Sequence, residues 1–252
     1  MIDLGPLVRF GIFLARPGLL VAVAPAFGGN WAPPVVKIGI AVVMAATAMA
    51  IVPFAPADGP AGLALLLTRE AVIGLALGFG LRVLIGAAEF AGHLAGFQLG
   101  FAYASLVDPQ SGVRNNVLSS LYGLTTLMVV FLVDAHHDLL RALVASYDVL
   151  PLGSGGVDGS LGGLVARLLG LVFFVGVQMA APIIIVQLVV ELGLGLASRA
   201  APTLNLMAQG FPIRLLVGLL TLAAMVRVIP AVVERAVPSM LDLTARLASV
   251  FE

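Results

Sequence analysis

The sequence predicts an all-α integral membrane protein, built of helical hairpins and broken helices, that belongs in an assembly or a conduit. Three observations predict it. Hydrophobic residues make up 61% of the 252, charged residues only 10%, and the mean hydropathy is +1.13, whereas an ordinary soluble domain is about 25% charged. Several runs reach the ~20 apolar residues that cross a bilayer. Finally, Glu191 to Pro212 reads E-L-G-L-G-L-A-S-R-A-A-P-T-L-N-L-M-A-Q-G-F-P, a polar, glycine- and proline-rich stretch between the uncharged run Leu168–Val190 and the run Leu215–Val226. Irregular polar backbone at that depth is tolerated only where other protein covers it or water reaches it.

The elements follow in chain order. Pro6–Phe27 reads as the first span and carries Arg9 and Arg16; Ile38–Pro56 is the second, uncharged and closed by Pro53 and Pro56. Between them, Trp31 and the one lysine, Lys37, suit an interface anchor or a packed turn. After a short loop, Ala57–Gly62, the run Leu63–Val107 stays apolar for about 45 residues, ~68 Å as one helix against ~30 Å of hydrocarbon. It is therefore expected to bend back or to leave the hydrocarbon. Asp108–Asn116 is a loop, Val117–Val133 an uncharged span, Asp134–Asp138 a polar break and Leu139–Leu150 a short apolar segment. Pro151–Gly163 is a glycine-rich surface loop. Leu164–Leu196 and Phe211–Ile229 are the last spans, and Ala231–Glu252, with Glu234, Arg235, Asp242 and Arg246 among apolar residues, reads as an amphipathic C-terminal helix. Residues 1–252 are expected to form one membrane domain of roughly five or six spans.

Charge and composition exclude several classes. Thirteen basic and 13 acidic residues balance, so nothing points to nucleic acid as a partner. The absence of cysteine removes disulfides, thiolate metal sites and cysteine nucleophiles. Met1 to Phe10 has no basic leader region, so the first span is expected to lead membrane entry uncleaved, and with Ile at position 2 no N-terminal acyl anchor is expected. Only 13 lysines and arginines occur and many lie within apolar stretches, so they assign no topology.

On a helix, Glu70, Gly74, Gly78, Arg82, Gly86, Glu89, His93, Gly96 and Gly100 fall along one side. Small residues let helices approach closely, and ionisable ones inside a bundle need partners. The stripe reads as an intersubunit packing face, with Arg82 paired to Glu89 or to a neighbouring chain. The alternative is a proton relay through Glu70, Glu89 and His93, as in a secondary transporter with broken helices. Asp134, His137 and Asp138 share a face at metal-ligand spacing, but with His136 they read as the water-facing end of a span, and no metal ligand is assigned. Gly153-Ser154-Gly155-Gly156 has the look of a nucleophile loop; without a histidine placed opposite it reads as a linker, and no catalytic residue is assigned.

The Gly195–Asn205 core, Gly-Leu-x-Ser-Arg-Ala-x-Pro-x-Leu-Asn, followed by Gly210-Phe211-Pro212-Ile213-Arg214, resembles the C-terminal signature of the FliR family. These are flagellar export-gate membrane proteins, with SctT as the injectisome counterpart. The similarity continues in order through the chain: Arg16-Pro17-Gly18, Pro25-Ala26-Phe27, Pro33 and Lys37; Arg69-Glu70 through Gly74 and Gly78; Ala91-Gly92, Gln98–Phe101 and Asp108-Pro109; Ser146-Tyr147 and Pro151–Gly153; Ala181-Pro182. His93, Ala135 and Gln209 depart from the family pattern.

The resemblance implies a non-enzymatic subunit without a cofactor in the bacterial inner (cell) membrane, at the flagellar basal body. It would pack with FliP and FliQ around a closed-off pore, with FlhB docked against it, and unfolded flagellar chains would pass through. Apolar helices would then face sister subunits as well as membrane lipid. Gly210–Arg214 favours the flagellar branch over the injectisome one. Leu106, Val107, Asp108, Pro109, Gln110, Ser111, Gly112, Val113, Arg114, Asn115 and Asn116 map to the family's pore plug. Assembly contacts map to Glu70, Gly74, Gly78, Arg82, Gly86 and Glu89, and to Arg199, Pro202, Asn205, Gly210 and Pro212 of the signature.

Overall fold

Helix is the only regular structure among the described residues, which in this computed structural model are 5–28, 32–54, 59–101, 117–152, 161–200, 206–225 and 227–249. An apolar surround offers backbone groups no water, and a helix satisfies them within its own segment. The helices are α1 (Gly5–Val23), a single turn α2 (Pro25–Gly28), α3 (Pro34–Ile51), α4 (Gly59–Gln98), α5 (Val117–Leu132), α6 (Ala135–Val149), α7 (Leu161–Ala200), α8 (Leu206–Met225) and α9 (Val228–Ser249).

The ends of α3 are set by proline. Pro33 sits extended as the N-cap (φ −58°, ψ 142°) and Pro34 opens the helix, where a missing N–H is harmless. Pro53 forces Val52 into the extended region (φ −88°, ψ 128°), which stops the helix. The apolar run after residue 59 is a single 40-residue helix, ~60 Å long; it does not fold back over those residues. It stops at Gly100, not at Val107. Gly100 is left-handed (φ 84°), the Phe101 N–H donates to Gly96 O at 3.0 Å, and the Gly100 N–H donates to Phe97 O at 3.1 Å. That is a Schellman cap, available at low strain because glycine tolerates positive φ.

Two further boundaries differ from the sequence expectation. The polar break is only two residues long: α5 and α6 meet at 67° around Asp134, which is left-handed (φ 57°), and His136 to Asp138 already belong to α6. The irregular stretch expected from Glu191 is helical through Ala200. Leucines and alanines alternate with Gly193 and Gly195 there, and a glycine costs a helix only about 1 kcal/mol relative to alanine. Residues 201–205 lie outside the described ones, and Pro212 sits inside α8. In α9 the buried residues Ile229, Val232, Val233, Ala236, Val237 and Met240 recur at helical spacing, with Glu234 and Arg235 outward.

The chain divides into two compact units, Met1–Val83 with Val130–Leu169 and Val237–Glu252, and Leu84–Val129 with Gly170–Ala236. The first has a core of Ile12, Phe13, Leu20, Ile73, Leu77, Leu139 and Leu150; the second has Leu84, Ala88, Tyr122, Met179 and Ile183. Among the described residues four helices (α1, α3, α4 and α7) are long and apolar enough to cross a membrane. The number reaches six if each bent pair, α5–α6 and α8–α9, is one span.

Candidate functional site

Three helices of the first unit converge on Arg16. Gly74 and Gly78 make this possible. A Cβ on Gly74 would collide with the Arg16 carbonyl oxygen and lie 2.9 Å from its Cα, and one on Gly78 would lie 2.8 Å from Leu20 O. The two glycines therefore let α4 lie directly on the α1 backbone, which carries Glu70, one turn before Gly74, to Arg16. The Arg16 Nε donates to Glu70 Oε2 at 2.7 Å and Nη2 to Oε1 at 3.0 Å, a two-pronged grip suited to a planar guanidinium. Helix α6 supplies the rest. Nη1 donates to Ser146 Oγ at 2.9 Å, Nη2 to Leu150 O at 3.1 Å, and the Tyr147 ring lies 4.1 Å from the guanidinium carbon. The Ser146 hydroxyl in turn donates a hydrogen bond to Leu143 O at 2.6 Å. Arg16 and Glu70 are 0% and 1% exposed. Removing one member of a buried pair leaves a bare charge, which costs roughly 3–5 kcal/mol.

The second unit has its own polar contact between α7 and α8. The buried Gln187 donates from Nε2 to Arg214 O at 2.8 Å, and Arg214 Nη1 reaches Glu191 Oε1 at 3.4 Å. Gly218 leaves room for the Gln187 amide, whose Nε2 a Cβ there would meet at 2.6 Å. On α4, Gly92 packs against the backbone of Ser119 of α5, whose hydroxyl donates to Glu89 O at 2.9 Å. Gly176 of α7 accepts the Phe90 ring, and Phe90 stacks on Phe173 at 5.4 Å.

The stripe on α4 is thus divided. Glu70, Gly74 and Gly78 face α1 of the same chain, the Glu89 side chain lies over Gly123, Arg82 is exposed, and Gly86 has nothing within 4 Å of a Cβ. Arg82 and Glu89 form no ion pair with each other. Glu70 is committed to Arg16, so its own carboxylate is not free for a relay. In the signature, Arg199 and Pro212 are exposed and Gly210 is buried. Pro202, Asn205 and the plug stretch Leu106–Asn116 lie outside the described residues, as do Trp31 and Ser154. Neither the meeting of Arg16 with Glu70, Ser146 and Tyr147 nor the place of Gln187 is apparent from residue spacing. The signal was present: an arginine inside an apolar span requires an acidic partner inside the bundle.

The α5–α6 elbow also rearranges the expected polar cluster. His137 Nδ1 lies 3.2 Å from Asp134 Oδ1, the His136 ring lies 4.1 Å from the His137 ring and 5.0 Å from Phe131, and Asp138 pairs instead with Arg141 at 2.7 Å. The set that converges is Asp134, His136 and His137, not Asp134, His137 and Asp138. Elsewhere the described hydroxyl bonds of Thr47, Thr68, Thr125, Ser198 and Thr221 go to backbone carbonyls within their own helices, which shapes helices and activates no nucleophile.

Residues 7–240 match the family described as bacterial export proteins, family 1. A flagellar biosynthetic protein FliR of Pectobacterium carotovorum subsp. carotovorum is 31% identical over 228 residues, 90% of this chain and 87% of that protein. The FliR of Escherichia coli (strain K12) is 30% identical over 240 residues, 94% and 91%. A Yop proteins translocation protein T of Yersinia pestis is 31% identical over 154 residues, 60% and 59%.

Proposed function

The chain belongs to the bacterial export proteins, family 1, and from that premise we propose that it is the FliR-type subunit of a flagellar type III export gate. Its coarse role, a membrane component of a flagellar or type III export apparatus, follows from the family and the apolar helices. In the finer reading it packs in the inner membrane with FliP- and FliQ-type subunits around a pore for unfolded flagellar proteins, and an FlhB-type subunit docks against it. The role is structural and uses no cofactor.

One observation carries this reading: the likeness to FliR proteins runs along nine-tenths of the chain. The likeness to the Yersinia translocation protein covers 60%, which favours the flagellar branch. The surfaces support an assembly. Only 11% of the apolar window of α3 and 28% of that of α7 are buried, against 61% for α4. Arg82, Gly86, Arg199 and Pro212 are open to sister chains, and Pro202 and Asn205 are assigned to the same contacts. Residues 106–116 are assigned as the plug: Pro109 and Gly112 break helix, and the polar residues around them tolerate water yet yield to a passing chain.

Removing the gene from its host is expected to abolish flagellin secretion, and complementation to restore it; secretion that continues without the gene overturns the assignment. Deleting Asp108–Asn116 is expected to leave a complex that assembles but leaks small solutes. An assembled, ion-tight complex would refute the plug alone.

A further inference from the structure

The elbow between α5 and α6 gathers metal-binding side chains that an export role does not use. Asp134, His136 and His137 each offer one ligand atom, and these atoms lie within 4.8 Å of one another. Two other observations separate this group from an ordinary polar turn. Asp134 holds the N-cap position of α6, where an aspartate side chain commonly accepts a first-turn N–H. It makes no such bond, and its carboxylate is turned to His137 at 3.2 Å instead. His136 keeps Nδ1 out of solvent with no hydrogen-bond partner among the described residues, while its ring is held beside Phe131 and His137. A buried nitrogen without a partner is unfavourable, and a metal–nitrogen bond would relieve it.

We propose that Asp134, His136 and His137 bind a divalent transition-metal ion, with zinc the best fit. Two imidazoles and one carboxylate are the donor set of open zinc sites, which keep three protein ligands and leave a fourth position for water or an incoming group. Calcium and magnesium take oxygen donors and have no use for the paired imidazoles. Closing the ligands around Zn–N bonds of about 2.0–2.1 Å requires them to draw together by an ångström or so. The side chains of His137 and Asp134, 54% and 69% exposed, are free to make that movement. The bound ion fixes the left-handed turn at Asp134, and with it the 67° bend between the helices.

The test uses the full chain in detergent, purified without a polyhistidine tag and stripped with EDTA, and is independent of export. Titration with Co(II) is expected to give one equivalent with tetrahedral d–d absorption that Zn(II) displaces, and Zn(II) is expected to raise the thermal midpoint. His136→Ala, His137→Ala and Asp134→Asn should each weaken zinc binding about tenfold or more while circular dichroism stays helical, and Asp138→Asn should bind as the parent does. Uptake below one equivalent at micromolar zinc, no change in the thermal midpoint of the unsubstituted chain, or ligand variants that bind like the parent would each overturn the site.

Discussion

Around Arg16 the chain closes on itself, whereas along α3 it leaves an apolar face that the described residues do not cover. Both regions lie in the same unit. At the hub, Arg16, Glu70 and the side chains of α6 meet with almost no exposure. On α3 only Ala41 and Ala45 are buried, and Val35 and Ile51 are 78% and 74% exposed. The contrast shows how the chain divides its needs. A charge inside hydrocarbon has few acceptable surroundings, so the chain supplies the partner itself. An uncharged apolar face is satisfied by lipid or by any apolar neighbour, so it is left for the membrane and for other subunits.

The comparison is most strongly tested at the hub. Glu70→Ala is expected to destabilise the chain by roughly 3–5 kcal/mol, read as loss of the folded monodisperse species in detergent. Arg16→Met with Glu70→Leu, which removes both charges, should recover much of it; a single variant as stable as the parent would mean the pair holds nothing. Next come the glycines. Gly78→Leu should separate α4 from α1 and thereby block co-purification with partner subunits, whereas a Cβ at Gly86 meets nothing within 4 Å among the described residues, and Gly86→Leu should leave the isolated chain folded. If Gly86→Leu still abolishes co-purification, that position faces another subunit; a normal complex removes it from the assembly face.

A charge on the open face should have a smaller and conditional effect. Val43→Asp breaks no core contact, yet a central aspartate costs about 2.5–3.5 kcal/mol on insertion scales. Its accumulation in membranes should fall, and co-expressed partners should not restore it. Unchanged accumulation would place Val43 in contact with water. The smallest effect is expected at Glu191→Gln, since its pair with Arg214 is 41% exposed on each side at 3.4 Å. Such pairs contribute about 1 kcal/mol or less, so the thermal midpoint should barely move.

Helix and membrane character were legible in the sequence because they rest on composition and run length, which local chemistry alone determines. Boundaries were less so. The end of α4 depends on one glycine adopting positive φ among many glycines that do not. The stretch after Glu191 looked irregular because glycine weakens a helix without forbidding it. The hub was half legible: Glu70 and its glycines stood out as a stripe, but which surface the stripe faced depends on α1 packing, a contact 54 residues distant in sequence. Asp134 drew attention by type, while the left-handed turn that gathers it with His136 and His137 has no signature in spacing.

The order in which the Arg16 contacts become available constrains biogenesis. The guanidinium leaves the ribosome first, with its acid 54 residues behind and its last acceptor 134 behind. At roughly 5–20 residues per second, several seconds separate the cation from its counter-ion. Until α4 arrives, α1 carries an unneutralised cation, which costs about 2.5–3.5 kcal/mol at the centre of the hydrocarbon on insertion scales. Pairing with Glu70 then relieves that cost.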